Sequence, residues 1–172
     1  FMRIFLSGIR ILDRLAIFWL DCKKWIINPS NAPLLKPLKK IALVINASKP
    51  GAEALALGLE QIAKENGVST IVTSDFPCRP GFIEGTDACF VVGGDGTLLG
   101  MMNEAVQYNV PVAGIRHGKL GFLATFSPEE MDRILPVLFS GEYQVRQRSM
   151  IAYQEGGGES KFALNDLVIK SG

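Results

Sequence analysis

Ala88-Cys89-Phe90-Val91-Val92-Gly93-Gly94-Asp95-Gly96-Thr97 opens with five apolar residues and stops abruptly at a glycine pair, an aspartate between glycines and a threonine. A short apolar run rich in strand formers and closed by glycine reads as a buried strand. Beyond Thr97, the residues Leu98, Met101, Met102 and Ala105 recur at helical spacing as far as about Tyr108. A buried strand that hands over to a helix belongs to a parallel α/β sheet, whose ligands bind at the carboxyl ends of its strands.

Upstream, Ile41-Ala42-Leu43-Val44-Ile45 reads as a second buried strand. A helix is predicted from Gly51 to Asn66, with Leu55, Leu59, Ile62 and Ala63 on its inner face and Gly67 placed to end it. A strand at Thr70 to Thr73 and a polar, Pro/Gly-bearing loop from Ser74 to Thr86 complete the approach. Downstream, Val110 to Ile115 supplies a further strand. Ser127 as N-cap, Pro128 at the first helical position and the acids Glu129 and Glu130 announce a third helix ending near Gly141. The alternation predicts a Rossmann-like parallel sheet with flanking helices over residues 39–141, its crossovers right-handed.

After residue 141 the pattern changes to strands at Tyr143 to Tyr153 and Phe162 to Ile169, around a turn at Glu155 to Glu159. Residues 142–172 are therefore expected to begin a β-rich second domain, incomplete in this chain. Two strands are too few for a stable sheet unless they join something larger.

Residues 1–38 are read as an apolar N-terminal helix and a linker. Charges at Arg3, Arg10, Arg14, Asp21, Lys23 and Lys24 interrupt the apolar run, so no span reaches the roughly 18 apolar residues of a membrane helix. A secretory signal fits poorly for the same reason. On a helical wheel Arg3, Ser7, Arg10, Arg14 and Asp21 share one narrow face. The remaining face packs on its own domain or a sister subunit, or lies on a membrane surface. Asn28 to Pro37, with its three prolines, reads as the linker.

With 48% hydrophobic and 20% charged residues in 172, the chain can bury a real core, and disorder is excluded. A net charge of +1 gives no footprint for nucleic acid. The three cysteines Cys22, Cys78 and Cys89 fit no metal-binding spacing and read as buried or free thiols in a reducing compartment. The single His117 has no nearby His or Cys in sequence, so no metal site is expected at it. Met101 and Met102 read as helix packing, and Arg146 and Arg148 as a solvated strand face.

The loop Gly93 to Thr97 carries the chemistry. Glycines let the backbone turn sharply and approach a ligand, and helix-start N–H groups favour phosphate. Asp95 is the exception, because a carboxylate there repels phosphate. It makes sense if it handles a proton or a metal ion beside that phosphate, or if it is a turn aspartate capping the helix. Gly94-x-Gly96-x-x-x-Gly100 also grazes the dinucleotide fingerprint, but its third glycine is displaced by one.

Gly93-Gly94-Asp95-Gly96-Thr97 resembles the loop of a kinase superfamily that includes NAD, diacylglycerol and sphingosine kinases. The string Gly118-Lys119-Leu120-Gly121-Phe122-Leu123 looks like the Gly-x-Leu-Gly-Phe-Leu segment of NAD kinases, and Ala163 to Ile169 resembles their Asn-Glu or Asn-Asp segment. The chain from Lys39 onward is thus similar to the N-terminal part of an NAD kinase. The resemblance implies transfer of a phosphoryl group from ATP or polyphosphate, with Mg2+ or another divalent cation, to the adenosine ribose 2′-hydroxyl of NAD. It implies Asp95 as proton acceptor, with Gly96 shaping the same site and Asn165 and Asp166 on the ribose hydroxyls. Gly93, Gly94 and Thr97 would line the donor side. Phe122 and Leu123 wall the nucleotide pocket or pack in the core.

Arg116-His117 replaces the family's usual Asn and variable residue, and Gly100 stands where some members carry a basic side chain. Family members continue into a β-rich domain with a Thr-Gly-Ser-Thr-Ala-Tyr-like segment that completes the NAD site, so the 172 residues alone are expected to show little activity. Alternatives are a lipid kinase of the same superfamily and a non-catalytic nucleotide-binding module. A cytoplasmic homo-oligomer without membrane or nucleic-acid partners is expected.

Overall fold

The computed structural model describes residues 4–6, 15–27, 36–118, 123, 126–155, 158–164 and 167–169. Its centre is a parallel sheet of four strands: β3 (Lys40–Ile45), β4 (Ser69–Thr73), β5 (Ala88–Gly93) and β6 (Val112–Arg116). They lie in the order β4-β3-β5-β6, with Leu43 opposite Phe90 and Val91 opposite Gly114. The chain runs from β3 outward to β4, then returns across β3 to β5. The direction of winding therefore reverses between β3 and β5, and loops at that reversal diverge to open a crevice.

Alternation along each strand feeds two cores. Ile41, Leu43, Ala88, Phe90, Val92, Ala113 and Ile115 face one side, where α1 (Ala52–Glu65) buries Ala52, Ala56, Leu59 and Ala63. Leu55 and Ile62 pack at the margin of that core, while Leu57 is 65% exposed. Ala42, Val44, Cys89, Val91 and Val112 face the other side, against Leu98, Met101, Met102 and Ala105. Burial pushes the Cys89 thiol far above its ordinary range, and the neighbouring Cys78 adds to it. Neither Cys78 nor Cys89 is in a disulfide.

Gly67 ends α1 with φ of 70°, the left-handed conformation the sequence reading required of it. The predicted third helix begins as a 3-10 turn at Pro128–Glu130 and continues as α4 (Met131–Phe139). Ser127 and Glu130 form a reciprocal capping box, with the Ser127 N–H donating to Glu130 Oε2 at 3.1 Å. The α4 residues Ile134, Leu135 and Leu138 join α1 on the first core, and the Phe139 ring meets Phe90 edge-on at 6.2 Å.

Three expectations need correction. Residues 1–27 are not a helix where the structure describes them: β1 (Ile4–Leu6) and β2 (Leu15–Ile27) are strands. An apolar run with few polar breaks fits a buried strand as well as a helix, and Ile17, Phe18, Trp19, Trp25, Ile26 and Ile27 are strand formers. Pairing decides: β2 runs antiparallel to β7 (Gln144–Glu155) from Leu15 opposite Glu155 to Ile27 opposite Gln144. The helix predicted as one piece to Tyr108 is two, α2 (Asp95–Gly100) and α3 (Met102–Gln107). It begins at Asp95 rather than Thr97 and breaks at Met101. The strand predicted from Phe162 to Ile169 is also divided, into β8 (Lys161–Ala163) and β9 (Leu167–Ile169).

The larger structure that β7 and β8 needed is the main sheet itself, extended through β2 in the order β6-β2-β7-β8. β9 pairs in parallel with β1 in a separate two-stranded sheet. Among the described residues no helix is long and apolar enough to cross a membrane.

Candidate functional site

The crevice lies at the carboxyl ends of β3, β5 and β6, where three turns meet. The first, residues 46–51, follows β3. Asn46 is its organiser: its Oδ1 accepts from the Ser48 N–H at 3.1 Å and the Ser48 hydroxyl at 2.6 Å, while its Nδ2 donates to Thr97 Oγ1 at 3.1 Å. The β3 turn is thereby tied to the glycine–aspartate loop.

In that loop Gly93 closes β5, Gly94 is the extended residue before α2, and Asp95 opens the helix. Asp95 is partly buried, Gly96 exposed, and Thr97 only 4% exposed. A Cβ on Gly93 would stand 2.8 Å from Thr97 Oγ1, so only glycine lets the threonine close over the strand end. The Thr97 hydroxyl is thus engaged within the scaffold. At six residues α2 has little dipole to offer an anion, which weakens the helix-start contribution expected from sequence.

The third turn follows β6. The His117 N–H donates to the Gly93 carbonyl at 3.0 Å, and His117 Nε2 meets the Pro50 carbonyl at 2.7 Å. The His117 imidazole is thus bonded to backbone, and its ring clamps the first turn to the third. Leu123 then donates its N–H to Asp95 Oδ1 at 3.1 Å. That bond joins the first and second sequence motifs and orients the one carboxylate in the loop.

The remaining sites divide. Met101 and Met102 are buried packing residues, as expected. Leu123, Phe162 and Leu164 each pack at the margin of the second core, and the N–H of Phe162, the residue before the third motif, donates to Asn103 Oδ1 at 2.8 Å. The segment that leads into the third motif is so anchored on α3. Phe122, Asn165 and Asp166 lie outside the described residues. At Gly100 an added Cβ would fall 2.1 Å from Phe76 Cζ, so an aromatic ring fills the place where some family members extend a basic group. Arg148 is exposed, as expected of a solvated face.

Sequence reading passed over Lys49. Its ammonium lies 3.8 Å from where Gly94 would carry a Cβ and 2.9 Å from the corresponding point on Gly118. Gly118 has φ of 105°, which a side chain would strain. A cavity of about 570 Å3 adjoins this point, lined by Gly51, Leu55, Arg116, His117, Gly118, Pro128 and Glu129. No residue of the glycine–aspartate loop is among those lining residues, whereas Gly118, next to the Lys49 ammonium, is. Among the described residues no cluster of three His, Cys, Asp or Glu is placed to hold a metal ion.

Comparison with known proteins agrees with this geometry. Residues 78–143 match the family model described as ATP-NAD kinase N-terminal domain, a span that includes Gly93 to Thr97 and Gly118 to Leu123. The chain is 33% identical over 146 residues to an NAD kinase of Burkholderia cenocepacia, covering 76% of this chain and 49% of that protein. It is 32% identical over 152 residues to one from Burkholderia multivorans, covering 84% of the chain and 47% of the relative. An NAD kinase of Clostridium botulinum is 40% identical over 89 residues, which is 50% of this chain and 32% of that protein. The chain thus spans about half the length of the first two of these relatives.

Proposed function

The chain belongs to the NAD kinase family through its N-terminal domain, and from that premise we propose that the whole protein phosphorylates the adenosine ribose 2′-hydroxyl of NAD to give NADP. The observation that carries the reading is the Leu123 N–H to Asp95 Oδ1 bond, which brings two motifs of separate loops to one carboxylate at the winding reversal. Asp95 accepts the proton of the 2′-hydroxyl as its oxygen bonds to the terminal phosphorus of the donor. The bond from that phosphorus to the bridging oxygen breaks, and ADP leaves with the electron pair.

A carboxylate is by type a weak base towards a hydroxyl. Its contribution is orientation and late acceptance of a proton from an oxygen already bonding to phosphorus. The donor would be taken as its magnesium complex, MgATP, in which the cation would offset the charge of the phosphates. Polyphosphate could replace ATP by the same chemistry. Gly94 and Gly96 leave the backbone open to the reacting groups, while Gly93 and Thr97 hold the loop's shape. Phe122, Asn165 and Asp166 are assigned to the dinucleotide by family motif.

The test is NADP formation by the complete gene product from NAD and MgATP, with the phosphorylated hydroxyl identified by phosphorus NMR. Production of 2′-phosphorylated NAD is expected. Absence of NADP from folded complete protein, with phosphorylation of diacylglycerol or sphingosine instead, would replace this reading with that of a lipid kinase.

A further inference from the structure

Lys49 occupies a position that its own neighbours do not explain. Its backbone is fixed, since its N–H donates to the Asn46 carbonyl at 3.1 Å and its carbonyl accepts from Ala52 at 3.2 Å. Its side chain is partly buried, yet among the described residues its ammonium forms no ion pair or hydrogen bond. A partly desolvated ammonium without an anion is costly in a folded protein. Here it is directed to the junction of the three turns, over Gly94 on one side and Gly118 on the other. Both neighbours are glycines, so no side chain from either position covers the ammonium.

Charge gives the same answer from the other direction. The loop places the Asp95 carboxylate where a phosphate must react, and a phosphate beside a carboxylate is repelled unless a cation stands close. We propose that Lys49 is that cation: it binds the phosphate chain of the phosphoryl donor at the Gly94–Gly118 junction. The rest of the donor then extends toward the cavity that Arg116 and His117 line and Gly118 borders. A lysine suits the task, because a compact ammonium with three donors can follow phosphate oxygens as the terminal group moves away. The assignment rests on the phosphoryl-transfer reading above and adds to it which residue recognises the donor.

The experiment titrates the complete protein with inorganic tripolyphosphate at fixed ionic strength, a probe that has no base or ribose. Calorimetry compares the wild type with Lys49→Met, Lys49→Arg and Lys64→Met, the last a charge-matched control near the end of α1. Lys49→Met is expected to weaken binding roughly ten- to a hundredfold, the loss typical of a hydrogen bond to a charged group. Lys49→Arg should retain most of the affinity and shows that the site folds, and Lys64→Met should leave it unchanged. In turnover, Lys49→Met should raise KM for MgATP and leave KM for NAD alone. Tripolyphosphate binding that ignores Lys49, or a loss confined to NAD, would overturn the assignment while leaving the kinase reading intact. If the folded wild type makes no NADP, that reading fails, and the tripolyphosphate titration still decides whether Lys49 is an anion site.

Discussion

The strand β5 has an aspartate at each end, and the two have opposite surroundings. Just before the strand, Asp87 accepts hydrogen bonds from the Lys39 N–H at 2.8 Å, the Lys40 N–H at 2.9 Å and Lys36 Nζ at 3.1 Å. Its carboxylate is used to fasten the start of β5 to the start of β3. Just after the strand, Asp95 sits between two glycines, with the Leu123 N–H donating to it and the Lys49 ammonium 3.8 Å from where the neighbouring Gly94 would carry a Cβ. One edge of the sheet spends its polar groups on itself; the other keeps them turned toward a space. The same residue type is structural at one edge and chemical at the other, and strand direction decides which.

Three substitutions strike this strand at its middle and its two ends. Phe90→Ala removes a fully buried ring stacked edge-on against Phe139, and should cost about 3–5 kcal/mol in denaturant unfolding of the complete protein. A smaller loss would mean that β5 is not the shared axis of both edges. Gly93→Ala drives a Cβ to 2.8 Å from Thr97 Oγ1 and 3.1 Å from Thr97 Cβ. It should cost about 1–3 kcal/mol and disturb the carboxyl edge, so that NADP formation falls by more than stability explains. An alanine variant with full activity would show the loop to be slack.

Asp87→Asn should cost about 1 kcal/mol near neutral pH and leave turnover intact. Burial works against the charge of Asp87, but the Lys39 and Lys40 N–H groups and then Lys36 outweigh it and hold the carboxyl below its ordinary value. A carboxyl lowered by folding adds stability above its unfolded pKa, about 3.9, and loses it as pH falls through the lower folded value. The difference between wild type and Asp87→Asn should accordingly begin to shrink below about pH 4 and disappear once the pH is below the folded value. A difference that grows in acid would contradict the role assigned to the amino edge.

The parallel block was largely legible because its signals are local. The apolar run ending at Gly93, the αL glycine after α1 and the Ser127-Pro128 start of the third helix each act within a few residues. What was missed depends on distant partners. Nothing between Leu15 and Ile27 says that the segment will pair with Gln144 to Glu155, more than a hundred positions away, so by composition alone the apolar run reads as a helix. The break at Met101 follows Gly100, against which the Phe76 ring of a distant loop is packed. Lys49 carries no signal of its own in the sequence, and only the fold sets it beside Gly94 and Gly118. The signal available for it was the position of Asn46 to Gly51 just after the first strand of the parallel block, at the reversal of winding.

The central claim is that Asp95 at this edge performs proton transfer rather than holding the fold. The most direct measurement is the turnover of Asp95→Asn in the complete protein, with NAD affinity and unfolding midpoint measured on the same preparation. The account predicts a fall in kcat of roughly a hundredfold or more, the scale of general-base catalysis, with stability and NAD affinity little changed. Turnover near that of the wild type in a folded Asp95→Asn protein would reduce Asp95 to a helix cap and contradict the account.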